Sequence, residues 1–489
     1  MKLPSAFLFL PLFFIFCGKV SFAQQYSLSL PEKLQLGVNN YEVLGANSEG
    51  VLVLSSGKTI RNISLYATNM KLQWKKGINL KEFGIVNVQK IFLIEDSALV
   101  FYTVQSRGVT ILKAVKVNQK FEVMRTPCIL DTLGNTTLIS VPSLSYASSF
   151  GKKRITAYYE DLNSTDKRKI HCICIDDLPS LKWKNEFRPP EFAEPQIISV
   201  LPDDSLRTWI LFGENQVKNF RNDFPFNKFM LITCSDSGKA VFQSIVEESG
   251  YIFSSALIRQ DRMNRQIVVA GMFSDSPGNE SDGVLVSRFS YNSALLSNKL
   301  LKFSDEFLSD LCGNIPPKRN DGFYSFSPSQ MILKLDGGII FLAESYNVST
   351  ESYNSAGFGN YGVTSSLTVN FYHYDDVIVL STDASDSVHW EKVLHKKQQT
   401  EGDGGYFSSF FLTVAPTQLI LVFNDFSSGM AVLSSFSVGA DGAVDRNEIF
   451  NADKKGLLPV PQSCKQVSPN EVIMPSIKKG YLQYIKIIF

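Results

Sequence analysis

Short runs of apolar residues, each preceded by a polar turn, recur along the whole chain. Neighbouring residues in these runs are both apolar, so the strands that they predict would be buried on both faces. Eight runs are strongly apolar, and each starts 47 to 80 residues after the previous one. They begin at Val51, Ala98, Arg154, Arg207, Gln266, Gly338, Gln418 and Val472. This repetition predicts an architecture built from similar units.

A β-hairpin completes several of these units. It is clearest at Val377–Leu394, where an apolar run meets a turn of Asp, Ser and Ala and then a second run that contains Trp390. Similar hairpins are found at Leu65–Trp74, Ile173–Trp183, Phe229–Phe242 and Met430–Val444. With the two strands before it, each hairpin makes a four-stranded unit. Such units favour a β-propeller of four-stranded antiparallel blades over a two-sheet sandwich.

The repeats predict eight blades in a single all-β domain over residues 24–489. The last unit, Cys464–Phe489, has only three strands, whereas Tyr26–Leu30 is an apolar strand outside any unit. We expect this N-terminal strand to complete the C-terminal blade and close the ring, which leaves no open sheet edge. Seven blades are the alternative, because insertions stretch the units between Gln266 and Gln418.

The turns carry no motif of a particular propeller family. A Ser-X-Asp-X-Gly-X-Thr-Trp turn is approached at Ser381, Asp383 and Trp390, and again at Asp236 and Gly238, but neither turn keeps its register. Gly-His and Trp-Asp signatures are also missing. At the level of the repeat alone, the chain resembles secreted β-propeller proteins.

The first 23 residues have the pattern of a secretory signal peptide. A lysine at position 2 precedes the apolar run Ala6–Phe16, and Ser21 and Ala23 are small residues placed for cleavage before Gln24. Lipidation at Cys17 is the weaker alternative, since bulky Phe16 precedes it. No run is long enough to predict a transmembrane segment. We expect a secreted or periplasmic protein.

Charge and cysteine usage limit the classes of partner. With 48 basic and 47 acidic residues, the net charge of +1 gives no field that would attract nucleic acid. The six cysteines beyond the signal peptide are widely spaced, and Cys172 and Cys174 share one face of a strand, so buried thiols are expected. The sequence predicts a monomer with neither a metal site nor a cofactor.

The predicted binding surface is the end of the propeller that carries the long connections. In an antiparallel meander, the second-to-third and blade-to-blade connections lie at one end, and long loops on a rigid scaffold usually carry binding. The longest, Ser345–Tyr374, is rich in Tyr, Ser, Asn and Gly, as antibody paratopes are. The candidate ligand-binding residues are Tyr346, Tyr353, Phe358, Tyr361, Tyr372, Asp403 and Asp425. The alternative is a hairpin extension whose aromatic side chains pack on the rim.

Three functions remain open on the sequence alone. The favoured hypothesis is a binding or scaffolding module for a carbohydrate or protein ligand, near blades five to seven. A glycoside hydrolase or polysaccharide lyase would instead require carboxylates such as Glu344, Asp403 and Asp425 to converge at the channel mouth. A structural component of an envelope assembly would show a large apolar patch on the rim.

Overall fold

A computed structural model provides the structure of the chain. It describes residues 25–57, 60–135, 142–161, 169–188, 191, 194–215, 226–234, 240–275, 281–313, 326–355, 365–426 and 430–489. The predicted signal peptide, residues 1–23, lies outside the described residues and stays a prediction.

The described strands form eight antiparallel meanders of four strands each, which we number as blades in chain order. Two strands precede the first blade, β1 (Gln25–Leu28) and β2 (Glu32–Lys33). Blade 1 contains β3 (Val38–Asn47), β4 (Gly50–Gly57), β5 (Arg61–Tyr66) and β6 (Leu72–Gly77). Blade 2 contains β7 (Ile85–Ile94), β8 (Ser97–Ser106), β9 (Val109–Asn118) and β10 (Cys128–Asn135). Blade 3 contains β11 (Ser145–Ser148), β12 (Arg154–Asp161), β13 (Lys169–Asp176) and β14 (Leu181–Phe187). Blade 4 contains β15 (Pro195–Pro202), β16 (Thr208–Asn215), β17 (Phe226–Cys234) and β18 (Ala240–Glu247).

The second half of the chain continues the same order. Blade 5 contains β19 (Ile252–Asp261), β20 (Gln266–Ser274), β21 (Gly283–Ser290) and β22 (Leu295–Lys302), and is followed by the helix α1 (Asp305–Leu311). Blade 6 contains β23 (Phe326–Leu333), β24 (Ile339–Ser355), β25 (Ser365–Thr382) and β26 (Val388–Leu394), with the short strand β27 (Gln399–Glu401) added to β25. Blade 7 contains β28 (Phe410–Val414), β29 (Gln418–Asp425), β30 (Val432–Gly439) and β31 (Val444–Asn451). Blade 8 contains β32 (Lys465–Ser468), β33 (Glu471–Lys478) and β34 (Tyr481–Ile488). Short 3-10 helices are found at Asp453–Lys455 and Pro461–Ser463.

The fourth strand of blade 8 comes from the N-terminal side of the chain. Strand β1 pairs with β34 in antiparallel register, from Gln25 opposite Ile488 to Leu28 opposite Ile485. The ring of Tyr26 lies 4.6 Å from that of Phe450 in blade 7. The predicted closure of the ring by the N-terminal strand is therefore confirmed.

The buried apolar residues of the described part of the chain form eight clusters, and each cluster joins two neighbouring blades. Strand β4 shows how one strand serves two of them. Leu52 and Leu54 pack towards blade 2, whereas Val51 and Val53 pack towards blade 8. Because alternate residues face opposite neighbours, the strand must be apolar at consecutive positions. The clusters follow one another around a closed ring, so the predicted β-propeller fold is confirmed and the eight meanders agree with the predicted blade number.

The second strand of every blade coincides with one of the eight apolar runs. The long connections also fall where the sequence predicts. They follow β12, β16 and β20, which are second strands, or they link blades after β14, β22 and β26, and the long strands β24 and β25 extend at the same end. Residues 119–127 between β9 and β10 are an exception at the opposite end. One end of the propeller, which we call the long-connection face, therefore carries the larger insertions. No helix among the described residues is both long and apolar enough to cross a bilayer.

The six cysteines of the described residues are all free thiols. Cys172, Cys174, Cys234 and Cys464 are buried, as predicted, whereas Cys128 and Cys312 are half-buried. Burial raises the pKa of Cys174 to about 11 and that of Cys234 to about 12. A high pKa and poor access both suppress the reactive thiolate.

We therefore expect no more than two of the six thiols to react quickly with dithionitrobenzoate in the native protein at neutral pH. All six should react after denaturation in guanidinium. Fast reaction of three or more thiols in the folded protein would contradict the burial of the strand cysteines.

Candidate functional site

The most distinctive feature of the long-connection face is an extended hairpin on blade 6. Strands β24 and β25 have 17 and 18 residues. Strand β23 pairs with β24 only as far as Ser345, and beyond it β24 and β25 pair with each other up to Ser355 opposite Ser365. We call residues Tyr346–Ser355 and Ser365–Tyr374 the hairpin extension. The predicted long loop is thus wrong for most of its length, because these residues pair as a hairpin extension, as the alternative expected. Whether its aromatic side chains pack on the rim stays a prediction.

A β-bulge separates the hairpin extension from the blade. Glu344 pairs with Val377 and Tyr346 with Tyr374, so Ser345 faces both Asp375 and Asp376. A bulge breaks the alternation of side chains and bends the strand. Both carboxylates consequently reach one segment: Asp376 accepts from the N–H of Lys396, at 3.2 Å, and Asp375 from that of Gln398, at 3.3 Å. Strict alternation, which would place them on opposite faces, does not hold here.

A buried ion pair lies directly beneath the bulge. The Nζ of Lys396 is 2.7 Å from Oε1 of Glu344, and the side chains are only 1% and 7% exposed. The ammonium also donates to the carbonyl oxygen of Tyr374 and to Oε1 of Gln398, each at 2.8 Å. Ser409 donates its hydroxyl to the other oxygen of Glu344. A buried charge needs such partners to offset the loss of its hydration.

Two amide side chains extend this network towards blade 7. The Nε2 of Gln398 donates to the carbonyl oxygen of Asn424 at 2.7 Å, and the N–H of Ser409 donates to Oε1 of Gln398 at 2.9 Å. The fully buried Asn424 donates to the carbonyl oxygens of Phe407 and Pro459. We call Glu344, Lys396, Gln398, Ser409 and Asn424 the polar base. It joins blade 6, the blade 6–7 link and blade 7 under the hairpin extension.

Burial dominates the titration of the central pair. It raises the pKa of Glu344 above its ordinary value, and the ammonium of Lys396 opposes that shift. It also lowers the pKa of Lys396, against the effect of Glu344. Perturbed pairs of this kind occur at catalytic sites, but a reactive pair must be reachable by substrate. The burial of both side chains favours a structural role.

The predicted aromatic residues are only partly brought together. Tyr346 packs on Tyr374, with ring centroids 4.7 Å apart, and both are partly buried. Burial raises the pKa of each phenol. Tyr372 is also partly buried, opposite Val348 on the neighbouring strand, and Tyr353 lies in β24 opposite Leu367. Phe358 and Tyr361 lie outside the described residues.

The predicted carboxylates serve separate local roles. Asp403 accepts from the hydroxyl of Thr400 at 2.7 Å and from the N–H of Gly405 at 2.8 Å, so it shapes the turn after β27. Asp425 forms an ion pair with Arg446 on β31. Glu344 is held by Lys396 in the polar base. Each carboxylate is held by a different partner.

The turn held by Asp403 supports the tyrosine pair. A Cβ atom at Gly405 would collide with the ring of Tyr374, so glycine allows this close approach. Gly405 also has a φ of +75°, a conformation that other residues rarely adopt. Gln462, from the link between blades 7 and 8, donates to the carbonyl oxygens of Gly405 and Ser408. The blade 6–7 link and the blade 7–8 link therefore both hold the base of the hairpin extension.

Sequence reasoning missed Lys396, Gln398, Ser409 and Asn424. Polar residues near strand ends are normally solvated, so nothing in the pattern marks these four as buried. The nearest signal is Asn424, which directly follows the apolar run of β29. Among the residues that the structure describes, no group of three His, Cys, Asp or Glu side chains is arranged to hold a metal ion.

Comparisons with known proteins give fold-level likenesses only. No protein-family model matches the chain, and no curated protein matches it in sequence. The Nup133 β-propeller domain of Vanderwaltozyma polyspora is 12% identical, with a TM-score of 0.40, over 82% of this chain and 99% of that one. The polysaccharide lyase Uly1 is 8% identical, with a TM-score of 0.38, over 94% and 99% of the two chains. Chaetomium thermophilum Sqt1, bound to the N-terminus of ribosomal protein L10, is 10% identical, with a TM-score of 0.35, over 94% and 100%. At such low values, no activity or partner is transferred to this chain.

Proposed function

We propose that this protein is an exported binding module whose hairpin extension binds a neutral polar ligand, a carbohydrate in the first instance. The observation that carries the proposal is the composition of the hairpin extension, which projects from blade 6 and is held at its inner end by the polar base. Its 20 residues include one acidic residue, Glu351, and no lysine or arginine, although 19% of the whole chain is charged. Such a surface does not rely on electrostatic attraction.

The exposed groups suit hydrogen bonding with a sugar or an uncharged peptide. Asn347, Thr350 and Ser352 are exposed on β24, and Asn370 on β25. The partly buried Tyr346 and Tyr372 add aromatic rings beside them. Tyr and Ser or Asn together supply flat contact area and adaptable hydrogen bonds at low entropic cost.

Support for binding over catalysis comes from the carboxylates. Glycoside cleavage needs an acid and a base on opposite sides of the scissile bond. Asp403, Asp425 and Glu344 are each engaged with different partners. The envelope-assembly alternative needs a single apolar patch, whereas the most exposed large apolar side chains belong to separate blades or links. These are Leu36, Phe83, Phe150 and Leu335.

The experiment is a thermal-shift screen of residues 24–489 against neutral, acidic and amino oligosaccharides and uncharged peptides. It is repeated with a variant that lacks the outer part of the hairpin extension. Thr350 and Asn370 are cross-strand partners, so an Asn-Gly turn can join them in place of residues 351–369. This variant retains Tyr346, Tyr372 and the pairing of β27.

We expect the shortened variant to unfold within a few degrees of the parent protein, because the polar base is intact. A ligand at about 100 times its dissociation constant should stabilise the parent by about 2.7 kcal/mol, and this gain should be smaller in the variant, which lacks Ser352 and the rest of residues 351–369. An equal ligand shift in both proteins would contradict the proposed site. Release of reducing ends during the screen would favour the hydrolase or lyase alternative.

A further inference from the structure

A pocket of about 560 Å³ lies between blades 1 and 2, away from the hairpin extension. Its floor is apolar and buried, and is formed by Leu80, Tyr102 and Phe121. Its walls come from the end of β6, the blade 1–2 link and the β9–β10 connection. Pockets of this volume with apolar floors are the usual sites for small ligands.

The pocket forms where the outer strand of blade 2 is interrupted. Val123 makes an isolated bridge with Val117, and the N–H of Met124 donates to the carbonyl oxygen of Lys116. Regular pairing of β10 with β9 starts again only at Cys128. Pro127, which lines the pocket, lies in this gap and has no N–H to continue the ladder. The interruption leaves the floor uncovered.

One wall carries the carboxylate of Glu82, whose negative charge is already balanced by a lysine. Glu82 accepts from Nζ of Lys113 through both of its oxygens, at 2.9 and 2.8 Å, and from the hydroxyl of Tyr102 at 2.7 Å. Burial by itself would raise the pKa of Glu82, but the hydrogen bonds from Lys113 and Tyr102 lower it. Glu82 is therefore an anion with its charge already balanced.

The remaining charges at the pocket favour an anion. Lys76 and Lys81 line the pocket, and Lys76 lies over the ring of Trp74, 4.8 Å from its centroid. Glu122 is the one other acidic lining residue, and it is exposed and accepts from Nδ2 of Asn118 at 2.9 Å. With Glu82 balanced by Lys113, two ammonium groups face one solvated carboxylate.

One exposed apolar side chain continues the floor outwards. Val123 lines the pocket and is 46% exposed. An apolar ligand body would cover this side chain, which otherwise contacts water.

We propose that the pocket between blades 1 and 2 binds a small molecule that has an apolar ring system and one carboxylate, with Lys76 and Lys81 as the partners of the carboxylate. The apolar body rests on Leu80, Phe121 and the ring of Tyr102. This site is independent of the ligand on the hairpin extension.

The test uses 2-naphthylacetate and its neutral amide as probes, with affinities measured by ligand-observed NMR on residues 24–489. A charge-assisted hydrogen bond should make the acid bind about tenfold more tightly than the amide. The double variant Lys76→Gln/Lys81→Gln should remove this preference, and Lys76→Glu/Lys81→Glu should make the corresponding amine the better ligand. Both lysines are at least partly exposed, so the variants should fold.

The matched control is Lys392→Gln/Lys454→Gln, which removes two exposed lysines outside blades 1 and 2. Lys392 lies in β26 of blade 6, and Lys454 lies in the link after blade 7. It should keep the preference for the acid. Equal binding of acid and amide by the parent protein, acid binding that survives both double variants, or failure of both probes to bind would each overturn the proposal. None of these outcomes bears on the hairpin extension, whose ligand is measured separately.

Discussion

Replacing Arg288 with Met should lower the free energy of unfolding by about 3–5 kcal/mol, because it leaves a buried carboxylate without its partner. Arg288 on β21 of blade 5 meets Asp386 in the β25–β26 turn of blade 6, with side chains 6% and 2% exposed. Its Nε is 2.8 Å and its Nη2 2.6 Å from the two carboxylate oxygens, and Nη2 also donates to the carbonyl oxygen of Gly337 at 2.9 Å. The pair fixes one blade to the next at the end opposite the long-connection face.

Urea denaturation at neutral pH measures this loss. Adding Asp386→Asn to Arg288→Met removes the unpaired charge, so it should recover much of the stability, and Asn tolerates the positive φ of position 386. Lys90→Met is the control, since its pair with Glu42 is over a third exposed on both sides and should contribute less than about 1 kcal/mol. A loss for Arg288→Met no larger than that of the control would show that the buried pair does not hold the blades together.

Replacing Lys396 with Met should cost a similar amount, about 3–5 kcal/mol at neutral pH, because Glu344 then lies buried without a cation. The ammonium also donates to Tyr374 and Gln398, so their acceptor atoms lose a partner. We expect the hairpin extension to loosen first, since these contacts fix its base. Proteolysis within residues 346–374 should therefore become faster than in the parent protein.

The pH dependence of this variant identifies the cause. Burial raises the pKa of Glu344 in the folded protein, and Lys396 opposes the rise. A raised pKa means that the folded state holds the proton more tightly, so stability is lost as pH rises from the ordinary to the raised value. Without Lys396, the pKa of Glu344 in the folded protein is raised further. The difference between variant and parent should thus be greatest at neutral pH and shrink as pH falls towards about 4. A difference that is independent of pH would exclude the unpaired carboxylate as its cause.

The sequence predicted the propeller because the packing of the blades leaves a direct mark on it. Each second strand faces two neighbouring blades, and residues such as Val53 and Leu54 must both be apolar for that reason. The orphan strand near Tyr26 could be assigned because one blade lacked a strand. The first feature can be seen within one strand, and the second follows from counting the strands of each blade.

The site could be predicted only as a region. The composition of residues 345–374 resembles a loop, and its strand structure depends on pairing between β24 and β25, which single residues do not reveal. The bulge at Asp375 and Asp376 shifts the register without any glycine or proline to mark it. The polar base is buried by contacts among blade 6, blade 7 and the two links that flank blade 7, so the sequence alone predicts Lys396 and Asn424 as surface residues. The pocket between blades 1 and 2 likewise arises from a break in a strand.

Hydrogen–deuterium exchange with and without the strongest ligand of the screen tests the central claim most directly. Our account predicts slower exchange in residues 346–355 and 365–374, and in the turn at 400–407, with no change in β3–β10. Protection confined to any other part of the ring would contradict the assignment of the hairpin extension as the binding surface.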